Sequence, residues 1–350
     1  MQRKVLTTLL LALLAIAVRA QAPQGGTSAA GDAAAPASSS FETAQDLAAR
    51  GRLDKALAEL DQLAAQVPEQ KGVERLRGII FYQKEQFPEA IEAFARAAAQ
   101  DPADRESIEM RGVSLFRLGR AREALPLLEE AHAAVDRANI DPQYVLGLCY
   151  ADLQRYDDAR HAFAAQYGFA PDSAEAYLLA GRLFLRREFA AEAAVQAGKA
   201  LEINPALPLA HQLLGEVALA EADLPKAIRE LEAERKLNPL NGVLYDRLGD
   251  AYLRNEQYPE AEQALNRAVL LEPGSTAPYI LLGQTFLKRK NPIQALHYLD
   301  HAVRMDPSNY ITHNLLGQAY KATGQMAEAN REFKTGVDLQ HSERPQAAGK

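Results

Sequence analysis

The sequence predicts an all-α array of about nine 34-residue helix-turn-helix repeats, and three observations predict it. Alanine stands at the twentieth place of every repeat, glycine at the eighth place of eight, and proline at the thirty-second place of seven. Repeat starts fall at residues 37, 71, 105, 140, 174, 208, 242, 276 and 310, with one step of 35 where the loop near Asn139 gains a residue. A period of this length marks stacked supersecondary units that bury a shared core only by piling on one another. Length alone, at one domain per roughly 150 residues, would give two domains; in an array, length reflects repeat number instead.

In chain order, residues 1–20 come first. They combine a basic opening (Arg3, Lys4), an apolar run from Val5 to Val18, and small side chains at Val18 and Ala20 before a break. This is the three-part pattern of a secretory signal peptide, cleaved after about Ala20. As a helix the apolar run would reach only about 21 Å, short of a roughly 30 Å hydrocarbon core. The expectation is an exported chain, periplasmic or secreted, with no stable membrane insertion after cleavage. Residues 21–40 are Pro, Gly, Ala and Ser with little to bury, a flexible linker. The array fills 41–343, and 344–350 form a disordered tail.

Within each repeat, places 4, 7, 8 and 11 make one apolar helical stripe, as in Tyr245, Leu248, Gly249 and Tyr252, and places 20, 24 and 27 make a second, as in Ala90, Phe94 and Ala97. Glycine inside a helix costs about 1 kcal/mol relative to alanine. Its recurrence at place 8 therefore implies a close helix crossing, with place 20 expected opposite. Proline at place 32 (Pro68, Pro102, Pro171, Pro205, Pro239, Pro273, Pro307) ends the second helix, and Pro88, Pro225, Pro259 and Pro292 start it. Ser39 with Glu42 reads as a capping box for the first helix. The third repeat has Asp136 in place of its terminal proline, and the fifth has Ala197 where a bulky place-24 residue is usual; both joints are expected to differ.

This pattern resembles the tetratricopeptide repeat, over 307 of the 350 residues. The family's place-4 Trp is absent, with Tyr245, Tyr279 or His313 there instead. The resemblance implies a right-handed α-solenoid whose first helices line a concave groove through places 2, 5, 9, 12 and 13. On these places the candidate partner-binding residues are Arg75, Tyr82, Phe116, Arg117, Tyr144, Asp152, Arg182, Arg186, Asp250, Arg254, Gln284, Lys288, Asn314 and Gln318, with Glu109 and Asp246 beside them. Arg117, Arg182 and Arg186 with Tyr82, Phe116 and Tyr144 would suit carboxylates or an extended peptide; alternatively they pair with Asp152, Glu109 and Glu175. The family's chaperone-tail clamp and its place-6 Asn ladder are not matched. The last repeat's Phe333, Val337 and Leu339 lack a covering helix and would allow self-association.

Composition agrees. Only 7% of residues are aromatic, none is Trp, and alanine fills 66 positions, which suits close helices better than sheets. A net charge of -7 argues against binding nucleic acid through its phosphates. The single Cys149 excludes an intramolecular disulfide and reads as a buried small side chain. No HExxH, GxSxG, phosphate loop or CxxC is present. His297 and His301 with Asp300 and His313 fall short of the convergent set zinc needs, and the pairs Glu129 with Glu130 and Asp157 with Asp158 read as solvated surface. No catalytic residue, cofactor or metal is therefore assigned. The expected function is an exported scaffold or adaptor that binds a protein or peptide in its groove. The alternatives are a subunit or regulator of a cell-envelope assembly complex docking through its terminal repeats and, remotely, an enzyme with an unrecognised site.

Overall fold

A computed structural model describes residues 40–65, 70–133 and 143–343. The leader, residues 21–39 of the linker, Pro68, Asp136, the loop at Asn139 and the tail lie outside the described residues. Among these residues there are eighteen α-helices and no strand, and the chain divides after Pro171 into two compact units. The first unit holds α1 (Phe41–Ala49), α2 (Leu53–Ala64), α3 (Val73–Gln83), α4 (Phe87–Gln100), α5 (Arg105–Arg117), α6 (Ala121–His132), α7 (Gln143–Asp152) and α8 (Tyr156–Tyr167). The second holds α9 (Ala174–Arg186), α10 (Ala190–Ile203), α11 (Ala210–Ala220), α12 (Leu224–Leu237), α13 (Gly242–Arg254), α14 (Tyr258–Leu271), α15 (Ala277–Lys288), α16 (Pro292–Met305), α17 (Tyr310–Ala322) and α18 (Met326–Glu343). Each repeat contributes one consecutive pair.

Proline at place 32 acts as the sequence predicts in five of the six described repeats that carry it; before Pro171 the helix already ends at Tyr167, on a left-handed Gly168 cap at φ +75°. In the five, the residue before the proline is pushed out of helical geometry, and Asp101, Asn204, Asn238, Glu272 and Asp306 all sit as C-caps with φ between -125° and -138°. The capping box expected from Ser39 and Glu42 is replaced by a simple N-cap one residue on, with Ser39 itself outside the described residues. Helix α1 begins at Phe41, so Ser40 is the N-cap and its hydroxyl accepts from the Thr43 N–H at 3.1 Å.

The turn inside each pair follows a rule that the sequence reading missed. Place 15 is left-handed in all nine repeats, with φ from +57° at Lys290 to +82° at Gly324. The next N–H then reaches back to the carbonyl at place 11, at 2.8–3.0 Å in every repeat, from Arg52 to Leu47 in the first and Gln325 to Tyr320 in the last. This is the six-to-one bond of a Schellman motif. Glycine supplies the conformation at Gly51, Gly119 and Gly324. Glu85, Gln154, Glu188, Ala222, Glu256 and Lys290 adopt it at a steric cost of about 1 kcal/mol each.

The place-8 glycines are needed for a close approach, but place 24 fills the space they leave. A Cβ on Gly147 would lie 2.4 Å from the Phe163 ring, one on Gly249 2.3 Å from Leu265, and one on Gly317 2.7 Å from Phe333. Place 20 contributes a backbone oxygen, such as that of Ala124 at 3.3 Å from the Cβ position of Gly112. The fifth repeat departs from this rule because Ala197 is too short. There Leu213 from the next repeat occupies the place, 2.8 Å from the Cβ position of Gly181. The residues replacing the family's place-4 Trp join successive repeats through the preceding proline: Tyr245 donates to the Pro239 carbonyl at 3.1 Å, Tyr279 to that of Pro273 at 3.5 Å, and His313 Nε2 meets that of Pro307 at 3.0 Å.

Candidate functional site

First helices of neighbouring repeats touch one another directly: α1, α3, α5 and α7 in the first unit, and α9, α11, α13, α15 and α17 in the second. Second helices reach the next repeat mainly through its first helix. In a curved stack the crowded layer is the inner one, so the first helices line the inner face of each unit. Because they pack so closely, place 12 is covered rather than open. Tyr82 is 4% exposed and Phe116 9% exposed, and Leu219 and Leu253 are buried at the same place of the second unit. These two aromatics are therefore walls between helices, which corrects the expectation that they line the groove.

In the first unit the candidate cations are engaged. Arg75 lies 3.5 Å from Asp104, the last residue of its own repeat, and 3.5 Å from Glu106 of the next. Arg117, 13% exposed, is 4.0 Å from Glu85, and its guanidinium stands 4.9 Å from the Phe87 ring centroid and 6.0 Å from that of Tyr82. Burial pushes the Tyr82 phenol up, against the pull of the Arg117 charge. Tyr144 lies 5.9 Å from Phe163, and its N–H donates to Gln166. Asp152 is half-buried. Glu129, read as solvated surface, accepts from the Tyr150 hydroxyl at 2.7 Å across a repeat boundary. Burial, with the Glu129 carboxylate second, raises that phenol to about 12.

In the second unit Arg186, Arg254, Lys288 and Gln318 are exposed, and Arg182, Asp250, Gln284 and Asn314 are half-buried. Arg254 pairs with Asp250 at 3.5 Å and donates to the Leu219 carbonyl at 3.1 Å. Asp246 is 3.5 Å from Arg247, and burial raises its carboxyl above the usual range despite that neighbour. Arg182 and Arg186 have no ion pair among the described residues, so neither pairs with Glu175.

Two features escaped the sequence reading, one on the inner face and one buried behind it. Lys321 stands exposed at place 12, because no further first helix among the described residues covers it. Glu234, fully buried, accepts from the Leu209 N–H at 2.8 Å and from the Gln212 N–H at 3.4 Å, capping the start of α11. The signal was available: place 27 is otherwise mostly Ala or Gly, and a charged residue in a small, buried place needs a polar partner there.

The other residues weighed in the sequence have the following surroundings. Cys149 is fully buried. The His301 ring lies 4.5 Å from that of Tyr279, tilted by 38°, Asp300 pairs with Arg304, and His313 Nδ1 meets Glu332 at 2.7 Å. Among the described residues no three His, Cys, Asp or Glu side chains converge as a metal site, and no helix is long and apolar enough to cross a membrane.

Residues 41–105, 144–208 and 280–335 match one family model described as tetratricopeptide repeat, and residues 243–275 match another. Residues 83–166 match the model for anaphase-promoting complex, cyclosome, subunit 3. Cell division cycle protein 27 homolog B of Arabidopsis thaliana is 29% identical over 153 residues, covering 44% of this chain and 20% of that protein. The match thus spans about a fifth of the curated relative's length. Among solved structures, MamA from residue 41 onward of Desulfovibrio magneticus RS-1 is similar at a TM-score of 0.47, with 22% identity over 50% of this chain and 98% of that one. YrrB, described as a TPR protein with an unusual peptide-binding site, gives 0.45, with 21% identity over 53% of this chain and 95% of that one.

Proposed function

The chain belongs to the tetratricopeptide repeat family, and from that premise we propose that it is an exported, non-enzymatic scaffold that holds a protein or peptide partner against the inner face of its first helices. The observation that carries this reading is the state of that face in the second unit: it keeps exposed polar side chains, Arg186, Lys288 and Gln318 among them, that the fold does not use. Export is supported by the leader pattern of residues 1–20. N-terminal sequencing of the mature protein should begin at Gln21; a chain that retains Met1 in the cytoplasm contradicts export.

The binding face is tested by a photo-crosslinking residue placed in cells at Gln284, on the inner face, or at Leu270, which is 69% exposed on a second helix. A covalent adduct at 284 and none at 270 is the expected result. A subunit that docks through its terminal repeats would instead crosslink at Val337 and leave 284 unlabelled.

A further inference from the structure

Charges on the first helices of the second unit are unequally engaged. Of the four acids there, Glu216 and Asp246 lie 3.8 and 3.5 Å from Arg247, and Asp250 lies 3.5 Å from Arg254. Glu216 also accepts from the Gln212 amide at 2.8 Å. The fourth, Glu175, sits in the first turn of α9, where the helix dipole favours a negative charge. Arg182, Arg186, Lys288 and Lys321 have no ion pair among the described residues. The surface acids are thus largely neutralised by their own neighbours, and the charge left over is positive, on a chain whose net charge is -7.

We infer that this face takes an extended acidic segment of a partner polypeptide, with carboxylates held by Arg182, Arg186, Lys288 and Lys321. The inference rests on the scaffold reading above and adds the chemistry of the ligand. Arg182 and Arg186 are one helical turn apart on α9, and a guanidinium fork can take a carboxylate through two parallel hydrogen bonds. Four repeat steps separate α9 from α17. At about 10 Å between touching helices, that is about 40 Å, or roughly 12 residues of extended chain. A nucleic acid would bring a continuous row of phosphates to a protein of the same net sign, whereas a peptide presents its acids only where the cations stand.

The test uses the mature full-length chain and a fluorescein-labelled dodecapeptide of alternating Glu and Leu, read by anisotropy beside its Gln and Lys counterparts. The Glu peptide should bind at least about tenfold more tightly than the other two, and about tenfold more weakly as salt rises from about 50 to 300 mM, where the Debye length shortens. Arg182→Gln with Arg186→Gln should cost about tenfold, Lys288→Gln with Lys321→Gln a few-fold, and Arg75→Gln in the first unit nothing. Circular dichroism melts control for folding of each variant. Equal binding of the Glu and Gln peptides overturns the acidic preference and leaves the scaffold reading standing. Crosslinks from the bound Glu peptide to second helices overturn the inner-face reading itself. Tighter binding of a single-stranded oligonucleotide of equal charge, or no binding of any peptide, overturns the proposal.

Discussion

The two units share one packing rule and differ in what they do with their inner-face cations. In the first unit, Arg75 is held by Asp104 and Glu106, and Arg117 is packed over Phe87 beside Glu85. In the second, Arg182, Arg186, Lys288 and Lys321 are left without ion pairs among the described residues. Place 13 carries a cation in both units, Arg117 in the first and Arg186 and Lys288 in the second, so place alone does not decide whether a charge is available. Availability depends on what the neighbouring repeat presents about thirty residues away.

Reversing the charges should expose this difference most strongly. Arg182→Glu with Arg186→Glu should lower affinity for the Glu-containing peptide by about a hundredfold or more, because repulsion replaces attraction. The urea midpoint should stay unchanged, as expected for surface substitutions. Arg117→Glu should do the opposite, leaving binding intact and destabilising the first unit by about 1–2 kcal/mol through loss of its contact with the rings. If both variants lost binding equally, the distinction between the units would fail.

The shared packing rule is tested by Gly147→Ala in the first unit and Gly249→Ala in the second. Each should cost about 2 kcal/mol in urea unfolding, since the new methyl meets Phe163 ring carbons in the first case and both Cδ2 and Cγ of Leu265 in the second, and a branch carbon such as Cγ cannot swing aside alone. Ala222→Gly should act the other way, stabilising by about 1 kcal/mol by relieving a left-handed alanine at φ +60°. No gain at Ala222 would show that the turn geometry is not costly there.

The smallest effect concerns pH. Burial raises the Asp246 carboxyl, so the folded chain holds that proton more tightly than the unfolded chain. Its stabilising contribution is full below the unfolded value and is lost as pH rises through the folded one. Asp101 in the first unit runs the opposite way, because the Lys71 hydrogen bond lowers it and its contribution is lost as pH falls. Asp246→Asn should therefore flatten the gain of the second unit between neutral and mildly acidic pH. A pH profile identical to that of the parent protein would contradict the assignment.

Much of the fold was legible because packing imposes identity at fixed places: glycine at 8 where Phe163 or Leu265 presses in, and proline at 32 where the second helix ends. The left-handed place 15 was not, since six of its nine occupants are not glycine and the conformation is imposed by the Schellman bond. The candidate groove was legible only as a set of helix places. Tyr82 and Phe116 proved buried because adjacent first helices meet across place 12. The engagement of Arg75 and Arg117 depends on side chains of the adjacent repeat, which a periodic pattern does not specify.

The central claim is that ligand capacity lies on the inner face of the second unit. Hydrogen exchange of the mature protein, with and without the Glu-containing dodecapeptide, tests it directly. Slowed exchange is expected in α9, α11, α13, α15 and α17, with α3, α5 and the second helices unchanged. Equal protection of both units, or protection confined to second helices, would contradict it.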